Sequence, residues 1–68
     1  MTSAEFFATR HAQLEAGTLN LLAGQGQQTA TQLRSQLRAG MRELDRVLQS
    51  MRVRGLIRSR RKKWELVP

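Results

Sequence analysis

Five glycines set the terms on which this 68-residue chain can fold: Gly17, Gly24, Gly26, Gly40 and Gly55. They interrupt a sequence whose apolar residues otherwise recur at helical spacing. A glycine in a helix interior costs about 1 kcal/mol relative to alanine, so helices tend to stop at such positions. Gly24 and Gly26, Gly40 and Gly55 therefore mark candidate helix ends and Gly17 at most a soft break, and at 68 residues the chain makes one domain at most. Domains of this size bury only about 60% of their unfolded surface, which leaves a thin core. No cysteine is present to staple it, so disulfides and thiolate metal sites are excluded.

The first piece opens with Thr2-Ser3-Ala4-Glu5, the S/T-x-x-E pattern of a capping box, and a helix is predicted from Ser3. Phe7, Leu14 and Leu21 recur every seventh residue, and Phe6, Ala8, Ala12, Leu19 and Leu22 broaden the stripe. The pattern fits one helix, or two with a soft break at Gly17, stopping at Gly24 and Gly26. Thr29 or Thr31 can cap a second helix that buries Leu33 and Leu37. Gly40 is the natural turn after it. A third helix follows with Met41, Leu44, Val47, Leu48 and Met51 on its apolar face, Met41 included in the expected core. Gly55 closes it.

The end of the chain, "RGLIRSRRKKWELVP", combines bases with strand-forming residues. Folded as a hairpin about Arg61-Lys62, it pairs Arg60 with Lys63, Ser59 with Trp64, Arg58 with Glu65 and Ile57 with Leu66. That register puts Ile57, Ser59, Trp64 and Leu66 on one face and Arg58, Arg60, Lys63 and Glu65 on the other. Arg58 and Glu65 make a favourable cross-strand pair. Two-residue tips prefer Asn or Gly, and neither is present, so a slightly longer and looser tip is predicted. The fold class expected is mainly α with a small C-terminal β-hairpin, a three-helix core plus a basic wing.

Charge divides the chain in two. Residues 1–33 carry one base and two acids, whereas residues 34–68 carry eleven bases and three acids. An imbalance of this kind on one part of a chain points to a polyanionic partner. Arginine outnumbers lysine ten to two, and arginine makes the bidentate contacts to phosphate and guanine that lysine cannot.

The order helix, short helix, turn, longer helix and basic hairpin, carried by "LNLLAGQGQQTATQLRSQLRAGMRELDRVLQSMRVRGLI", resembles the winged helix-turn-helix DNA-binding families. Their first helix ends in a leucine pair. A Thr-started helix with an xxLxxxL pattern follows, then a longer helix ending in GLI, then the wing. The resemblance covers about residues 12 to 67, and residues 2–11 extend beyond it. It implies a dimeric prokaryotic or phage-type transcriptional regulator on double-stranded DNA, with residues 41–54 as recognition helix and 56–67 as wing. On that reading Arg42, Glu43, Arg46 and Gln49 face base edges, with Glu43 either accepting from cytosine or holding an arginine in place. Arg34, Arg38, Arg58, Arg60, Arg61, Lys62 and Lys63 meet the backbone. Phe6, Phe7 and Leu14 form an apolar stripe larger than so small a core requires, and are the candidate dimerisation residues, with extra core as the alternative.

Other readings compete. A helix continuous through Gly40 would turn the leucine spacing into a coiled-coil interaction module, and the same basic face could serve RNA. Trp64 could stack on a base, or pack the wing onto the third helix. No nucleophile–base pair, phosphate loop or carboxylate pair suggests an enzyme. The lone His11 and scattered acids suggest no metal, and no cofactor or small-molecule effector is evident. No apolar run approaches the ~18 residues of a membrane span. The N-terminus lacks the layout of a signal peptide, so a cytoplasmic, nucleoid-associated protein is expected.

Overall fold

The computed structural model describes the backbone of residues 3–68 and the side chains of residues 9–68. Three helices, α1 (Ser3–Gln25), α2 (Ala30–Leu37) and α3 (Met41–Val53), precede two strands, β1 (Ile57–Arg60) and β2 (Lys63–Leu66). The molecule is mainly helical, with an antiparallel C-terminal hairpin.

α1 runs unbroken through Gly17. That glycine marks a close approach, not a break: a Cβ there would stand 2.6 Å from Leu37 Cδ2 of α2. Thr18 is buried beside it and satisfies its hydroxyl by donating to the Leu14 carbonyl at 2.8 Å. The face α1 turns to the core is Leu14, Thr18 and Leu22, with Leu19 and Leu21 half-buried; Ala12 is exposed. Gly26, at φ 78°, ends the helix and donates to the Leu22 carbonyl. The side chains of Phe6 and Phe7, and the predicted Thr2 cap, lie outside what is described.

Thr29 caps α2 with a complete capping box. Its Oγ1 accepts from the Gln32 backbone N–H at 3.1 Å, and Gln32 Oε1 accepts from the Thr29 N–H at 2.8 Å. The reversal into α3 differs from the expected glycine turn. Arg38 takes the left-handed conformation, φ 53° and ψ 44°, while Gly40 sits at an ordinary extended φ of −71° as the N-cap of α3. Helix α2 needs its left-handed residue immediately after Leu37, and Gly40 comes too late to supply it. This reversal excludes the continuous helix of a coiled coil.

Leu44, Val47, Leu48 and Met51 are the buried face of α3 and join Leu14, Leu22, Leu33 and Ile57 in one cluster. Burying a side chain of this size contributes about 1.5–3 kcal/mol, so this cluster carries the fold. Met41 does not belong to it. It is 65% exposed, because it sits one turn before Leu44, past the end of the cluster. Gly55, at φ 77°, closes α3 as expected, with Leu56 N–H donating to the Met51 carbonyl at 3.0 Å.

The hairpin has the register read from sequence, Ile57 with Leu66 through to Arg60 with Lys63. Its tip is tighter than expected. Arg61 and Lys62 both adopt positive φ, 53° and 66°. That is what a two-residue turn needs to follow the strand twist. The flanking pairs impose the geometry on residues that do not favour it. β1 lies against α3 and β2 against α1. Trp64 is half-buried on the core, in the strand that faces α1 where the third helix was expected. It is also joined to Gln28 by two backbone hydrogen bonds of 3.1 and 2.7 Å.

Candidate nucleic-acid interface

Helix α3 has two faces. Opposite its buried leucines, at spacings of four, three and four, run Arg42, Arg46, Gln49 and Val53. Such spacing places the four in one stripe along a helix. Arg42, Arg46 and Val53 are exposed and Gln49 is half-buried. Of the expected base-contacting residues, three therefore share this surface. Val53, at 82% exposed, was not expected there.

Glu43 is engaged elsewhere. Of the two roles open to it in the sequence, the structure shows the second, holding an arginine. Arg10 of α1 donates from Nε to Oε2 and from Nη2 to Oε1, both at 3.2 Å. Arg10 Nη2 also reaches the Arg38 carbonyl at 3.4 Å. The Arg10 hydrogen bond is the main reason the Glu43 carboxyl titrates below its ordinary range; partial desolvation opposes it, and the Arg10 charge and the Gly40 N–H add to it. One residue of α1 thus ties together the start of α3 and the turn before it. Arg10 went unrecognised in the sequence because its partner lies far along the chain, with no local spacing to reveal the pair.

Glu15 and Glu65 are also occupied, whereas Asp45 is exposed. Glu15 meets His11 at 2.9 Å and pairs with Arg54. Glu65 binds Arg58 across the strands at 3.2 Å and Gln27 at 3.4 Å. The Gln27 hydrogen bond is the largest cause of its lowered pKa, resisted by desolvation and reinforced by Arg58 and Arg60. Arg58 is therefore partly neutralised as a backbone contact.

Arg38, Arg60, Arg61, Lys62 and Lys63 are exposed, and none of them has a carboxylate partner among the described residues. Arg34, in the last turn of α2, is half-buried with its Nε enclosed and lacking an acceptor. Leu14, expected at a dimer surface, is only 2% exposed and belongs to the chain's own core. Its place on the seven-residue stripe is explained by packing within the domain.

A cavity of about 280 Å³ lies between α1 and α3, bounded by Arg10, His11, Arg42, Glu43, Arg46 and Val47. Among the described residues no cluster of histidine and acidic side chains is arranged to hold a metal, and no helix is long and apolar enough to cross a membrane. Comparison with family models, curated proteins and solved structures gave no match.

Proposed function

We propose that this chain is a winged helix-turn-helix domain that binds double-stranded DNA in a sequence-dependent way, as a transcriptional regulator at the nucleoid. The observation that carries this reading is the two-faced α3, with Arg42, Arg46 and Gln49 in one accessible stripe opposite the core. In this reading α3 lies in the major groove. Arg42 and Arg46 present bidentate donors to guanine O6 and N7, and Gln49 suits adenine. Glu43 braces the helix through Arg10. The hairpin beside α3 brings Arg60, Arg61, Lys62 and Lys63 to the phosphate backbone, and Arg38 meets it at the turn before α3. No catalytic step or cofactor is part of the proposal. A second copy of the chain would pair through the start of α1, where Phe6 and Phe7 stand. Sedimentation equilibrium showing a monomer at high concentration, unaltered by Phe7→Ser, would remove the dimer.

Selection from a randomised duplex library, followed by anisotropy on the enriched site and on random DNA, tests the central claim. Arg46→Ala or Arg42→Ala should weaken the enriched site by about 1–3 kcal/mol and random DNA much less. Equal losses on both would show that these arginines do not read bases. Enrichment of no site would remove sequence-dependent binding altogether.

A further inference from the structure

The cavity between α1 and α3 borders the proposed base-reading stripe, shares Arg42 and Arg46 with it, and adds Arg10, His11, Glu43 and Val47. At about 280 Å³ it is several times the ~30 Å³ a water molecule occupies in the liquid. Three arginines from two helices, Arg10, Arg42 and Arg46, line it together with His11 and a single acidic residue, Glu43. The excess of positive charge rules against a cation. The buried Val47 supplies an apolar side.

Glu43 already shows how an oxyanion sits here, with two oxygens on Arg10 Nε and Nη2 at 3.2 Å. Among the described residues none accepts from Arg10 Nη1, and neither Arg42 nor Arg46 has a carboxylate partner. Planar guanidinium groups match phosphate oxygens in pairs, and charge-assisted bonds of this kind are about twice as strong as neutral ones. A phosphate presents more oxygens and more charge than the resident carboxylate.

We propose that the α1–α3 cavity is a phosphate-binding site, with Arg10 as a ligand alongside Arg42 and Arg46, and with Glu43 as an internal competitor for Arg10. The inference deepens the DNA-binding reading, since it shares two arginines with it. The phosphate could belong to a strand of bound duplex or to a free phosphate ester.

The two partners of the Arg10–Glu43 pair give the test its power. The 68-residue chain is titrated with inorganic phosphate at constant ionic strength, with chloride as the balancing anion, while NMR follows the arginine Nε–H signals. Arg10→Gln should weaken phosphate about tenfold, the loss of one charged hydrogen-bonding group. Glu43→Gln, which frees Arg10, should strengthen it severalfold. Both substitutions break the same ion pair, so a purely structural role would move both in one direction. Equal weakening by the two, or no shift of the wild-type Arg10 signal, would overturn the site. This arm needs no DNA, so it stands or falls apart from the DNA-binding reading. A second arm separates the sources with a short duplex. A strand phosphate in the cavity predicts that Arg10→Gln lowers the salt slope of binding by about one. A free phosphate ester predicts an unchanged slope, with inorganic phosphate displacing the duplex beyond its ionic-strength effect.

Discussion

Helices α2 and α3 end on the same hydrogen bond, yet close it with different residues. In α2 the Ala39 N–H reaches back to the Arg34 carbonyl at 3.1 Å; in α3 the Leu56 N–H reaches back to the Met51 carbonyl at 3.0 Å. Each closure passes through a left-handed residue. In α3 it is Gly55, at φ 77°; in α2 it is Arg38, at φ 53°. The hairpin tip follows α2, since Arg61 and Lys62 take positive φ where glycine or asparagine would be easier. Among the described residues the non-glycine positions at positive φ are these three, and all are basic. A side chain held there costs about 1–2 kcal/mol per residue. At Gly55 the backbone alone matters, and the chain uses the residue that suits it. At Arg38 and the tip it accepts strain and keeps the charge. Strain of this kind gathers where a segment serves binding, which accords with the proposed phosphate contacts.

The contrast can be broken deliberately. The largest effect should come from Gly55→Val, which forces a branched side chain into the left-handed region. A loss of about 2 kcal/mol in urea unfolding is expected, and an unchanged midpoint would mean the α3 end tolerates what the α2 end tolerates. Replacing the tip by Arg61→Asn with Lys62→Gly should act in the opposite sense on stability, raising it by about 1–2 kcal/mol. It should also lower the salt slope of duplex binding by about two. A stabilised tip with an unaltered slope would show the strain to be incidental. Arg38→Gly should stabilise by about 0.5–1 kcal/mol, because glycine returns some of the gain as backbone entropy.

The smallest effect is that of pH. Each cation-closed turn is linked to a carboxylate: Glu43 through Arg10 to the Arg38 carbonyl, and Glu65 to Arg58 within the hairpin. Both carboxyls titrate below the ordinary range, Glu43 chiefly through its bond from Arg10 and Glu65 chiefly through its bond from Gln27. A depressed carboxyl adds stability that is complete above its unfolded value, ~4.3, and is lost as the pH falls through its folded value. Amide exchange around Arg38 and the hairpin should therefore quicken below about pH 4.3, with a smaller change around Gly55. Uniform quickening would separate the carboxylates from these turns.

Much of the architecture was legible because it rests on side-chain periodicity. The hairpin register follows from alternation and from Arg58 opposite Glu65. The core face of α3 follows from its leucine and methionine spacing. Features that rest on other causes were hidden. The Gln28–Trp64 bridge is made by backbone atoms and leaves no side-chain signature. Met41 fits the stripe in angle and fails it in position along the axis. Gly17 leaves one helix or two open in the sequence, whereas it serves a contact with Leu37, a residue distant in sequence. Leu14 has the spacing of an outward stripe but is turned to the core by α1's packing. For the candidate interface, the α3 stripe could be read from the wheel, but Arg10 and the cavity it bounds depend on the docking of α1 against α3.

The Gln28–Trp64 bridge has a consequence for how the molecule comes apart. By joining the segment after α1 to the second hairpin strand, it makes a closed ring of the chain between them, with α2 and α3 inside. The hairpin cannot swing away without opening that ring, and closing it again carries the entropic cost of a loop longer than half the molecule. A C-terminal hairpin would ordinarily fray first and alone. Here the Trp64 amide should exchange with the slowest class of protons, those released only when the whole domain unfolds.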